Sequence, residues 1–103
     1  MSLEQIAMSI IAYAGESQSY TMQAVQSGRD GKIEEAEAYL KKAREEALKS
    51  HRVHSELLSE SAAAELQVNF LMVHASNHLS SAESMILTAE LYLELKKEVN
   101  QKC

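Results

Sequence analysis

Proline is absent from this chain of 103 residues, glycine occurs only three times, and tryptophan does not occur. With so few residues for sharp turns, the sequence favours helix almost everywhere, and an all-helical protein is expected. The single cysteine, Cys103, excludes an internal disulfide framework and suits a reducing compartment. Its place at a frayed end lacks the local field that makes a thiol reactive. A basic surface is missing as well: 10 Lys and Arg stand against 15 Asp and Glu, a formal charge of −5. Such a surface repels a phosphate backbone, so nucleic-acid binding is not expected. No run is apolar enough to span a bilayer, and Met1 to Ile11 holds acidic Glu4 without the basic start of a secretory signal. The expectation is one domain over 1–103, soluble, cytoplasmic and not inserted in a membrane.

What is present is helical periodicity. Ser2 with Gln5 forms a capping box, and Glu4 places negative charge in the first turn. Leu3, Ile6, Ala7, Ile10, Ala14 and Ser17 then recur on one face, predicting a helix over 3–28. Ser27-Gly28-Arg29-Asp30-Gly31 is the strongest turn signal, with Asp30 available to cap the next helix. A second helix over 31–60 carries Ile33, Ala36, Leu40, Ala43, Ala47, His54, Leu57 and Leu58 along one side. Glu37 with Lys41 and Glu45 with Lys49 mark its solvated side, each pair contributing a few tenths of a kcal/mol.

Ser59 to Glu65 has neither glycine nor proline. A helix unbroken to the C-terminus would nevertheless reach about 110 Å with nothing to bury its apolar face. A break is therefore expected in that stretch, with a third helix over 66–99. Three long helices on short connections form an antiparallel bundle.

From Leu66 to Ala82 there is no Asp, Glu, Lys or Arg, and Phe70, Leu71, Met72, Val73 and Leu79 cannot share one stripe. A surface helix normally keeps a charged face. Self-association through this helix is one resolution; a weakly polar Ser/Asn/Gln face left in water is the other.

All four histidines fall in pairs at helical spacing, His51 with His54 and His74 with His78. The zincin motif fails because Ala75, not Glu, follows His74, and no histidine has Glu three residues before it, as a ferritin-like site requires. Two His pairs on aligned helices would still make a four-nitrogen zinc site. No glycine-flanked serine resembles a nucleophile elbow, and no glycine loop cradles a nucleotide phosphate. Covalent catalysis by histidine needs less: a neutral imidazole is nucleophilic at cellular pH, given donors for the phosphoryl oxygens. His78, Ser76 and Asn77 are residue types that donate. Against this stands the simpler reading of a satisfied core histidine.

The motifs carry a resemblance over about Leu3 to Glu98. Ile10-Ile11-Ala12-Tyr13-Ala14-Gly15-Glu16-Ser17-Gln18-Ser19 is similar to the pattern I-I-x-x-A-G-[ED]-A-[RK]-S. Gly28 to Glu37 matches the segment opening the second helix, Ser50-His51-Arg52-Val53-His54-Ser55 corresponds to A-H-x-x-Q-T, and Val73-His74-Ala75-Ser76-Asn77-His78-Leu79 to V-H-A-Q-D-H-L. In order and spacing the chain resembles the lactose/cellobiose (chitobiose) IIA components of the sugar phosphotransferase system. The resemblance implies a homotrimer of three-helix protomers. It further implies that His74 is phosphorylated by the phosphohistidine of HPr; His78 and Ser76, as donor types beside it, are expected to contact the phosphoryl group. The group then passes to a cysteine of a IIB component and to a disaccharide entering through the IIC membrane permease. No cofactor is implied.

The chain departs from the pattern at several positions. Ser76 replaces Gln and Asn77 replaces Asp. In the family, three copies of that Asp gather at the trimer axis, where a divalent cation offsets them; Asn77 removes the charge, so no axial metal is expected. His54 stands in place of Gln, either facing the site or packing, and Ala63 lies near the usual loop glycine. The competing reading is a non-catalytic helical interaction module or a degenerate family member, although no period near 34 residues supports a repeat array.

Overall fold

The computed structural model describes residues 2–64 and 70–102, which form three helices and no strand: α1 (Leu3–Arg29), α2 (Ile33–Ala64) and α3 (Phe70–Lys102). They lie side by side in a rod of 58 × 18 × 17 Å.

The capping box forms as expected: Gln5 N–H donates to Ser2 Oγ at 3.2 Å, and Ser2 N–H donates to Gln5 Oε1 at 2.9 Å. At the other end of α1 the expectation is corrected. Asp30 closes α1 instead of capping α2, with its N–H bonded to the Gln26 carbonyl at 3.1 Å, and α2 begins with Ala36 N–H on the Lys32 carbonyl. Gly31 supplies the turn at φ +78, a region L-residues rarely adopt. Gly28 remains helical, and its role is clearance. A Cβ there would lie 2.5 Å from Leu93 Cδ2, so any larger residue would push the buried Leu93 side chain aside.

The core divides along the rod. Ile6, Ala7 and Ile10 of α1 pack with Leu57 of α2 and with Met72, Ala75 and Leu79 of α3. At the far end Ala24 meets Ala36, Leu40, Ala89 and Leu93. These pairings run α1 and α3 in one direction and α2 in the other. Leu58, expected on the inner side with Leu57, is exposed, because one residue turns it about 100° away.

Two buried hydroxyls fasten α1 to α2. Ser17 Oγ donates to the Ala43 carbonyl at 2.8 Å and Ser50 Oγ to the Ile10 carbonyl at 2.9 Å, so neither polar group is buried unpaired. Links from α2 to α3 lie nearer the surface: Arg44 with Glu90 at 3.0 Å, Lys97 with Glu37, and His54 with Ser76 at 2.8 Å.

The expected second break is also corrected. Helix α2 continues through Ser59 to Ala64, as its alanines favour, so Ala63 lies within the helix. Residues 65–69, between the described ends of α2 and α3, and Cys103 lie outside the described residues. The third helix does leave apolar residues in water, with Phe70 84% and Leu91 67% exposed. No described helix is long and apolar enough to cross a membrane.

Candidate active site

His74 sits in the second turn of α3, exposed, with half-buried His78 one turn on. Their spacing of four puts both rings on one side of the helix. The Nε2 atoms are 3.2 Å apart, and the rings meet edge to face at a centroid distance of 4.5 Å. When both rings are neutral, one Nε2–H donates and the other Nε2 accepts. The accepting ring then carries its hydrogen on Nδ1. Exposed Phe70, one turn before, lies nearly parallel to the His74 ring at 6.1 Å.

The pair opens into a shallow cleft of about 180 Å³ lined by Gln18 of α1 and by His74, Asn77, His78 and Ser81 of α3. Every lining side chain is uncharged or an imidazole, and Gln18, Asn77 and Ser81 all carry hydrogen-bond donors. The cleft therefore offers one reachable nitrogen nucleophile among neutral donors. Gln18 was not legible as a site residue from periodicity. The available signal was its place in the first-helix motif, where the pattern has Arg or Lys.

Ser76 is not part of this cleft. Two residues beyond His74 means about 200° round the helix, which turns the Ser76 hydroxyl to the α2 side, 2.8 Å from His54 Nε2. Its expected contact with the His74 phosphoryl group is therefore not made within the protomer. His54 bonds across helices and does not simply pack. His51 is exposed beside a separate cleft with Arg44 and Glu83. The two His pairs point to different sides of α3, so the four-nitrogen zinc alternative is not assembled. Among the described residues no group of three or more His, Cys, Asp or Glu is placed to hold a metal ion.

Asn77 is exposed on the outward side of α3, away from the core residues Ala75 and Leu79. Asn77 presents a neutral amide there, and its carbonyl oxygen is a weaker ligand for a divalent cation than the carboxylate of the pattern.

Residues 5–97 match the model of the lactose/cellobiose-specific IIA subunits of the phosphotransferase system. The chain belongs to this IIA family. It is 34% identical to the lichenan-specific phosphotransferase enzyme IIA component of Bacillus subtilis (strain 168), covering 97% of this chain and 92% of that one. It is 30% identical to the oligo-beta-mannoside-specific EIIA component of the same organism, over 94% of this chain and 89% of that one. Among solved structures it is similar to the cellobiose-specific enzyme IIA of Bacillus anthracis. The TM-score is 0.93 at 30% identity, covering 100% of this chain and 95% of the other. As a IIA component the protein is part of a sugar phosphotransferase system.

Proposed function

We propose that His74 is the phosphoryl carrier of this IIA component, charged by phospho-HPr and discharged to a IIB cysteine during disaccharide uptake through a IIC permease. The observation that carries this reading is the exposed imidazole of His74, its Nε2 held by His78, at the mouth of a cleft of neutral donors.

In the transfer, the P–N bond of the donor phosphohistidine breaks and its electron pair returns to the donor imidazole. The lone pair of His74 Nε2 forms the new P–N bond, and no proton has to cross. His78 holds His74 in the required tautomer by donating Nε2–H to it. Once the lone pair is used, the same N–H is free to turn to a phosphoryl oxygen. Positioning and electrostatics supply most of the catalysis in such displacements. The second transfer, to the thiolate of IIB, repeats the chemistry with sulfur as nucleophile.

The working form in this reading is a cytoplasmic homotrimer closed through the exposed face of α3. Asn77 amides take the place of the family's axial carboxylates, so assembly is insensitive to chelators; dissociation of the trimer by EDTA would count against it. Phosphoenolpyruvate, Enzyme I and HPr should add one phosphate to the protein, seen by mass, and His74→Gln should abolish it. The uncharged cleft also favours a second reading, a degenerate family member or non-catalytic helical module. An unchanged mass with competent partners would support that one.

A further inference from the structure

The His74–His78 pair also has the dimensions of a metal clamp. Its two Nε2 atoms stand 3.2 Å apart. In a tetrahedral zinc site with Zn–N bonds of about 2.0–2.1 Å, neighbouring nitrogens are about 3.3–3.4 Å apart. The pair therefore has to open by only about 0.1–0.2 Å to take up the ion. Both rings project from one helix at a spacing of four and meet edge to face, so a rigid element sets their separation.

The surroundings admit a cation. His74 is exposed, and the cleft it shares with Gln18, Asn77 and Ser81 contains no ammonium or guanidinium group. The formal charge of −5 attracts cations to the protein as a whole. Among the described residues no third His, Cys, Asp or Glu joins the pair. Two positions of a tetrahedral ion are then left to water, which makes the site open and its ion exchangeable. The other histidine pair offers no such clamp, because His54 Nε2 is engaged with Ser76 Oγ at 2.8 Å.

We infer that His74 and His78 chelate Zn²⁺ through their Nε2 atoms, and that the bound ion blocks phosphoryl uptake. The second half of this inference rests on the phosphoryl-carrier reading; the first half does not. When both rings are neutral, the hydrogen that joins the two Nε2 atoms moves to Nδ1 through water. Both lone pairs then face the ion, and no proton is released. Zinc occupies the His74 lone pair that would otherwise form the P–N bond, so no bond to phosphorus forms until the ion leaves. It is a reversible inhibitor, not a cofactor. Its ligands are imidazole nitrogens, unlike the axial carboxylates of the family pattern. Imidazole suits zinc, whereas Mg²⁺ prefers oxygen and keeps its waters, so the clamp discriminates against Mg²⁺.

The binding half is tested on unphosphorylated protein carrying Cys103→Ser, which removes the single thiol as a competing ligand. Titration with Zn²⁺ against a chromophoric chelator should show one ion per chain. His74→Gln and His78→Gln should each weaken binding by at least about tenfold, the smallest loss expected even for an outer-shell partner. His51→Gln should leave it unchanged. Imidazole nitrogen NMR, which keeps the native histidines, should show both Nε2 signals of His74 and His78 shifting with Zn²⁺ and not with Mg²⁺. Affinity that survives His78→Gln or disappears with His51→Gln, or Nε2 signals that do not move, would overturn the clamp.

The inhibitory half is read from phosphate uptake, using preformed phospho-HPr. Uptake should slow about tenfold when zinc stands at about ten times its half-filling concentration, and EDTA should restore it. Full-rate uptake with the site filled would overturn the inhibition and leave both clamp and carrier standing. Protein that binds zinc yet takes up no phosphate in its absence would remove the carrier reading, and the inhibition with it, but not the clamp.

Discussion

The seam between α1 and α2 and the outward face of α3 are built on opposite principles. The seam is closed. Alanines bring the helices together, and Ser17 and Ser50 bind carbonyls of the facing helix, both fully buried. The α3 face is open, with leucines and a phenylalanine in water and a histidine pair at its edge. The first arrangement holds the fold of a protomer. The second is finished only by other molecules, and in this reading those are two more copies and the transfer partners. Substitutions at the seam should therefore cost stability, and substitutions on the face should cost assembly and activity.

The largest expected stability effect lies in the core beneath the seam. Leu57→Ala removes a fully buried side chain shared by all three helices and should lower unfolding free energy by about 2–5 kcal/mol in denaturant melts. Gly28→Ala comes next. The added methyl meets the end of the Leu93 side chain at 2.5 Å; overpacking costs about 1–3 kcal/mol, alanine's better helix propensity offsets about 1, and the net loss of up to about 2 kcal/mol is visible as a lower melting temperature. Ser50→Ala leaves the Ile10 carbonyl without its second partner and should cost about 1 kcal/mol. Leu91→Glu inverts the pattern: an exposed position should change protomer stability by no more than about 0.5 kcal/mol. In sedimentation experiments, however, it should convert trimer to monomer. If Leu91→Glu stayed trimeric, the comparison would break, because the open face would not be the assembly face. Smallest of all is Glu90→Ala, which removes a partly exposed ion pair with Arg44 and should shift stability by only about 0.3 kcal/mol, less again in high salt.

The same contrast explains what was legible in the sequence. The α1–α2 pair could be read almost directly. The capping box, the helical face from Leu3 to Ser17 and the turn around Gly31 all rest on local chemistry, and local chemistry is written in consecutive residues. Gly28 was read as part of the turn, whereas its need arises from Leu93, distant in sequence. The end of α2 was misplaced because alanine continues a helix unless tertiary contacts stop it. In α3 the histidine pair stood out by spacing, and the missing charges announced an unusual face. The direction of Ser76, the arrival of Gln18 in the cleft and the bond from His54 were not readable. Each depends on which helix lies on which flank of α3, and no periodicity within one helix contains that.

The central claim is that His74, and no other residue, carries the phosphoryl group. Fragmentation mass spectrometry of the protein after charging by phospho-HPr, under conditions that preserve P–N bonds, tests it most directly. The account predicts phosphate on the peptide containing Val73-His74-Ala75, located at His74 and absent from the His74→Gln protein. Phosphate found on His78, His54 or His51 instead, or retained in the His74→Gln protein, would contradict it.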